Sequence, residues 1–201
     1  MNDSVQESEL LRRAGQGDEA AFLVLYERHR DAVFRFACRV LGSAPLAEDV
    51  TQECFLAVLR RPEGFEPGRA ALRTYLCAIA RNLALKQLRR LGQETTTDDP
   101  PEKTDGGAEA DPLARVLEDE TADAVRQAVA ALPPLQREVV VLFEYEDMSL
   151  AETAAVCDID VGTVKSRLHR ARGRLRRALL PLLGGGATAA AAQTGREETG
   201  S

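Results

Sequence analysis

The stretch "GQETTTDDPPEKTDGGAEADP", residues 92–112, constrains the folding of this 201-residue chain more than any other. It combines proline, glycine, threonine and acids with almost nothing apolar, so no packing gain offsets the entropy of ordering it. It reads as a flexible acidic linker, and the chain on each side must then build its own core. Aromatic residues make up only 4% of the chain and there is no tryptophan. Each core has to come mainly from Leu, Val and Ala, which suits packed helices better than sheets. The expectation is an all-α protein of two small helical domains.

Charge follows the same division. Residues 1–92 carry 14 basic and 12 acidic side chains, residues 93–131 carry 3 and 11, and residues 132–201 carry 9 and 9. The net charge of -6 therefore lies in the middle of the chain. In the flanks the cations cluster. Arg69, Arg73, Arg81, Lys86, Arg89 and Arg90 fall between Pro67 and Gln93 with no acid among them, and "VGTVKSRLHRARGRLRRAL" (161–179) holds seven cations and no acid. A merely solvated helix face interleaves acids at i,i+4 spacing. Two acid-free cationic helices point instead to two contacts on one polyanion, of which nucleic acid is the fitting class.

Beyond the linker, Pro133-Pro134 marks a helix start, since the first turn has no intrahelical donors to lose; that helix runs to about Glu146. Ser149 followed by Glu152 reads as a capping box that opens a short helix. The turn from Cys157 to Gly162 places Asp158 where a left-handed residue lets the chain reverse. After Gly162, the residues Val164, Leu168, Ala171 and Leu175 form one apolar stripe. The result is a helix-turn-helix, whose second helix enters the major groove with its amino-terminal residues at base edges. Lys165, Ser166, Arg167 and Arg170 are the candidate base or adjacent phosphate contacts. Arg172, Arg174, Arg176 and Arg177 are left to touch phosphate or keep the helix soluble. Taken alone, a helix-turn-helix also fits a repressor or activator with an amino-terminal dimerisation or ligand domain.

Before residue 65 there are three helical signals. The first is capped by Asp18 and buries Phe22, Leu25 and Tyr26. The second is lined by Val33, Phe36, Ala37 and Val40 and ends at Gly42, and the third, beginning near Pro45, is lined by Ala47, Val50, Cys54 and Val58. A fourth helix, "ALRTYLCAIARNLALKQLRRL", turns Leu72, Leu76, Ile79 and Leu83 inward. Its other face joins Tyr75, Asn82, Lys86 and Arg89, which offers stacking, base-edge hydrogen bonding and phosphate attraction to unpaired bases; Tyr75 also reads as a partly buried helix aromatic. On the third helix Asp49, Gln52, Glu53 and Leu56 share an acidic face with one apolar residue, which suits a basic protein partner as well as plain solvation.

Several classes are disfavoured. Cys38, Cys54, Cys77 and Cys157 form no CxxC pair and read as small buried hydrophobes, so no metal site is expected. No Gly-rich phosphate loop and no nucleophile with a base is present, so neither a catalytic residue nor a cofactor is expected. The amino terminus lacks a signal-peptide pattern and no apolar run approaches a membrane span, which leads to the expectation of a cytoplasmic protein without membrane insertion.

The segments "AEDVTQECFLAVLRR", "LRTYLCAIARNLALKQLRR" and "LPPLQREVVVLFEYEDMSLAETAAVCDIDVGTVKSRLHRARGRLRRAL", in this order, resemble the extracytoplasmic-function (ECF) sigma factors of bacterial RNA polymerase. The resemblance implies a four-helix sigma region 2 domain over 12–92, the flexible acidic linker over 93–112, a sigma region 4 helix-turn-helix domain over 113–183, and a disordered tail over 184–201. It implies a non-catalytic specificity subunit with no small-molecule substrate. Its partners would be core RNA polymerase (the clamp helices of the largest subunit, and the flap), promoter DNA and an anti-sigma factor. Asp49, Gln52, Glu53, Phe55 and Leu56 fall where the family docks on polymerase. Arg73, Thr74, Tyr75, Arg81, Asn82, Lys86 and Arg89, with the loop from Gly64 to Ala71, correspond to the part that recognises and melts the minus-10 element. Thr163, Lys165, Ser166, Arg167, His169 and Arg170 correspond to the minus-35 reader. This chain departs from the family where Tyr75 and Val58 replace tryptophans and Asp158 replaces the usual turn glycine.

Overall fold

The structure, a computed structural model, describes residues 3–92 and 119–191, with side chains described over 4–92 and 122–180. Eight α-helices make up the described residues: α1 (Asp3–Gly15), α2 (Glu19–Leu41), α3 (Ala44–Arg60), α4 (Leu72–Arg90), α5 (Asp119–Ala130), α6 (Pro134–Val140), α7 (Leu150–Cys157) and α8 (Val161–Ala191). The expected linker lies outside the described residues. α8 continues to Ala191, past the expected start of the tail, and 192–201 are not described.

The amino-terminal unit has the expected number of helices but a different partition. Asp18 does cap α2, accepting from the Ala21 amide, and Gly42 does end it with φ 68. Between them runs one helix rather than two, because "ERHRDA" contains no glycine or proline and its polar gap is filled from outside. His29 is buried and its Nε2 lies 2.9 Å from Glu7 Oε1 on α1. α1, which begins before the expected boundary at residue 12, is the additional helix, and it adds Leu11 and Ala14 to the core.

α3 carries Pro45 in its first turn and buries Ala47, Val50, Cys54 and Val58 as its pattern requires. α4 buries Leu72 and Leu76 as expected, but Ile79 and Leu83 are only half-buried, while Cys77, Ala80, Ala84 and Leu88 are fully enclosed. The stripe is broader than an amphipathic pattern implies because α4 packs on two sides, against α2 and α3 and also against α7 of the second unit.

In the carboxy-terminal unit α6 passes into a π-helical turn, Val141–Tyr145, in which the Glu146 amide donates to Val141 O at 3.0 Å. The capping box forms: the Glu152 amide donates to Ser149 Oγ at 3.2 Å and the Ser149 amide to Glu152 Oε2 at 2.9 Å. The Ser149 hydroxyl, donating to Glu152 Oε2 at 2.7 Å, and then the Ser149 amide hold the Glu152 carboxyl below its usual range. α8 starts slightly earlier than its apolar stripe indicates, because Asp160 caps it, accepting from the Thr163 amide at 2.8 Å and from Thr163 Oγ1 at 2.6 Å. Val164, Leu168, Ala171 and Leu175 are buried as expected.

Asp158 ends α7 at φ 53, ψ 49, a left-handed conformation that an L side chain adopts at a cost. Asp158→Gly is expected to raise stability by about 0.5–1 kcal/mol, measured by thermal denaturation followed by circular dichroism. Asp158→Val should lower it.

Candidate nucleic-acid interface

α8 is held at its start by Asp160 and along its length by the buried stripe, so its exposed residues define what it can touch. Lys165, His169, Arg172 and Arg176 are exposed at i, i+4, i+7 and i+11. Ser166 and Arg170 are half-buried: Ser166 Oγ donates to Thr163 O at 2.9 Å, and Arg170 Nη2 donates to Ser166 Oγ at 3.5 Å. Thr163 is engaged in the cap. Arg167 stands apart, only 7% exposed, with Nη1 3.1 Å from Glu138 Oε1. The outward row is therefore Lys165 and His169, with Arg172 partly engaged by Glu144 at 2.6 Å. A helical stripe gives the angle of Arg167 but not the buried acid on α6 that draws it inward.

On α4, Asn82, Lys86 and Arg89 are exposed. Tyr75 is half-buried, its ring centroid 5.8 Å from that of Phe65, and burial pushes its phenol above the ordinary range, so the hydroxyl stays neutral. A Cβ at Gly64 would lie 2.5 Å from Tyr75 Oη, so glycine is what lets the Gly64–Ala71 loop sit against this ring. Thr74 is 4% exposed and does not reach the surface in this arrangement. Arg73 and Arg81 both reach toward the second unit, Arg81 with 12% of its side chain exposed and Arg73 with 39%. Arg73 Nη2 lies 2.8 Å from Glu146 Oε2, and Arg81 Nε lies 2.8 Å from Glu138 Oε2.

On α3, Asp49, Gln52 and Glu53 are exposed and Leu56 is 48% exposed. Phe55 turns inward, 4% exposed, and packs edge-on against Tyr26 at 4.9 Å and Phe22 at 6.3 Å. It braces the face from inside. Leu23 and Val24 on α2 are also exposed, at the level of this aromatic cluster, and were not singled out by pattern; an apolar pair lying off the buried stripe was their signal. Glu138 and Glu146 were missed too, although a glutamate inside "REVVVLFEYE" has to find a cation if that run is buried.

Residues 25–94 match the sigma-70 region 2 family and residues 122–175 match sigma-70 region 4. The chain is 31% identical over 180 residues to the ECF RNA polymerase sigma factor SigW of Bacillus subtilis, covering 86% of this chain and 96% of that one. It belongs to the ECF sigma factors. The sigma factor SigM of Mycobacterium tuberculosis is 37% identical over 173 residues, covering 86% of this chain and 84% of its own. Among solved structures, the sigma factor RpoE in complex with the anti-sigma factor NepR from Bartonella quintana superposes with a TM-score of 0.60 at 27% identity, covering 79% of this chain and 96% of that one. Within this sigma factor, the region 2 match runs from within α2 through α4, with α1 preceding it, and the region 4 match runs from within α5 into α8.

The geometry gives Arg167 a role separable from base reading. Arg167→Ala removes one of the two cations on a fully buried carboxylate and is expected to lower stability by about 2 kcal/mol in thermal denaturation. An unchanged melting temperature would return Arg167 to the surface-contact group.

Proposed function

We propose that this sigma factor binds core RNA polymerase through α3, with Asp49, Gln52, Glu53 and Leu56 in contact and Phe55 bracing them, and directs initiation at promoters read by α4 and α8. The minus-10 contacts are Arg73, Tyr75, Arg81, Asn82, Lys86 and Arg89. Lys165 and His169 lead the minus-35 contacts, supported by Ser166 and Arg170, and Arg167 positions their helix. The observation that carries this reading is the order of the two matched regions, each holding one acid-free cationic helix, α4 and α8.

Two weak contacts joined by a linker gain avidity through effective concentration, so the pair selects correctly spaced elements that neither domain holds alone. The negative charge over 93–131 opposes sequence-blind attraction to phosphate. The protein contributes specificity and no catalytic step, and works in the cytoplasm; among the described residues no helix is long and apolar enough to cross a membrane. The anti-sigma partner of the Bartonella RpoE supports such a partner here.

Run-off transcription with core polymerase tests the reading: added protein is expected to yield promoter-specific transcripts, and none would overturn it. In the same assay Lys165→Ala should weaken use of promoters that depend on their minus-35 element by about 1–3 kcal/mol, while Arg176→Ala should act weakly and without sequence preference.

A further inference from the structure

Along the outward row of α8, Arg172 differs from its neighbours. Among the described residues Lys165, His169 and Arg176 carry no hydrogen bond or ion pair on their side chains, whereas Arg172 is held from two sides. Its Nε and Nη2 both donate to Glu144 Oε1, at 3.2 and 2.6 Å, and its guanidinium carbon lies 5.8 Å from the centre of the Phe143 ring. Both partners belong to the π-helical turn that ends α6, Val141–Tyr145. Turns of this kind recur at functional positions. Arg172 keeps 48% of its side chain exposed and Glu144 33%, and Arg172 Nη1 makes no hydrogen bond among the described residues.

An ion pair this exposed contributes little to stability. An acid beside a row of cations also weakens the attraction of that row for a polyanion. Neither stability nor charge therefore accounts for Glu144; what it does do is fix a long side chain in one orientation.

We propose that Glu144, with Phe143, is a positioning residue for DNA binding: it aims Arg172 at a phosphate beside the minus-35 element. The inference rests on the reading of α8 as the minus-35 face. Arg172 lies seven residues after Lys165, about 10 Å along the helix. In a helix-turn-helix the amino-terminal residues of the second helix meet base edges. A cation two turns farther on reaches the strand that walls the groove, where contacts set register and orientation without reading sequence. A free arginine loses its rotamer freedom when it grips phosphate. Here Glu144 takes the Nε side of the guanidinium before DNA arrives and leaves Nη1 to donate, so less freedom remains to be lost.

The test uses holoenzyme, core polymerase reconstituted with the full chain, and a duplex promoter fragment that the wild type transcribes in the run-off assay. Binding is followed by fluorescence anisotropy over a series of salt concentrations for wild type, Arg172→Ala, Glu144→Ala, Glu144→Gln and the double variant Glu144→Ala/Arg172→Ala. Arg172→Ala is expected to weaken binding about tenfold and to make its logarithmic salt dependence shallower by about one. Glu144→Ala should weaken binding about fivefold although it removes a negative charge. Glu144→Gln, which keeps an acceptor for Arg172, should stay within about twofold of wild type. Once Arg172 is alanine, Glu144→Ala should add nothing further.

Tighter or unchanged binding by Glu144→Ala would overturn the proposal, since the charge of Glu144 would then be all that matters. An equal loss from Glu144→Ala in the Arg172→Ala background would overturn it too, because the effect would be structural, as would an unaltered salt dependence in Arg172→Ala. The sigma factor reading is tested apart from this, by run-off transcription with the wild type.

Discussion

Glu138 is a charged side chain with no exposed surface, on a short helix whose residues 136–140 are all buried, and much of the architecture follows from having to pair it. A carboxylate in that position is tolerated only with cations and full hydrogen bonding around it. Arg167 supplies one partner and thereby ties α8 to α6, setting the angle of the reading helix. Arg81 supplies the other and ties α4 to both. A single buried acid thus sets the helix-turn-helix geometry and joins it to the amino-terminal unit.

The placement of charge makes sense of an acidic protein that handles DNA. The overall excess of acid is concentrated in 93–131, away from the reading helices. The acids that do approach those helices are few and placed individually: Asp160 caps α8, Glu144 meets Arg172, Glu138 holds Arg81 and Glu146 holds Arg73. Basic side chains that remain outward, such as Lys165, His169 and Lys86, keep a surface open to a polyanion. The same helices therefore carry two populations of basic residue, one that organises the protein and one left for a partner.

The fold class was legible because helix signals are local. The Asp18 cap, the Gly42 stop, the Ser149–Glu152 box and the left-handed Asp158 all stand where their residue types require. What was not legible came from contacts distant in sequence. α2 reads as two helices until Glu7 on α1 is seen to satisfy His29. α4 looks amphipathic until α7 covers its second side, which also explains why Arg81, singled out as a DNA contact, lies in a seam. The inward turn of Arg167 depends on an acid 29 residues away. Of the candidate sites, the exposed face of α3 and the outer faces of α4 and α8 could be read from spacing, whereas the division between organising and contacting arginines needed three dimensions.

The central claim is that Glu138 and Glu146 hold region 2 and region 4 against one another in the free sigma factor. Single-molecule energy transfer between fluorophores installed bio-orthogonally at Glu27 on α2 and Ala178 on α8, both exposed, measures this directly. Closure through Glu138 and Glu146 gives one narrow high-transfer population in the free protein. A broad low-transfer distribution in the free protein would contradict it.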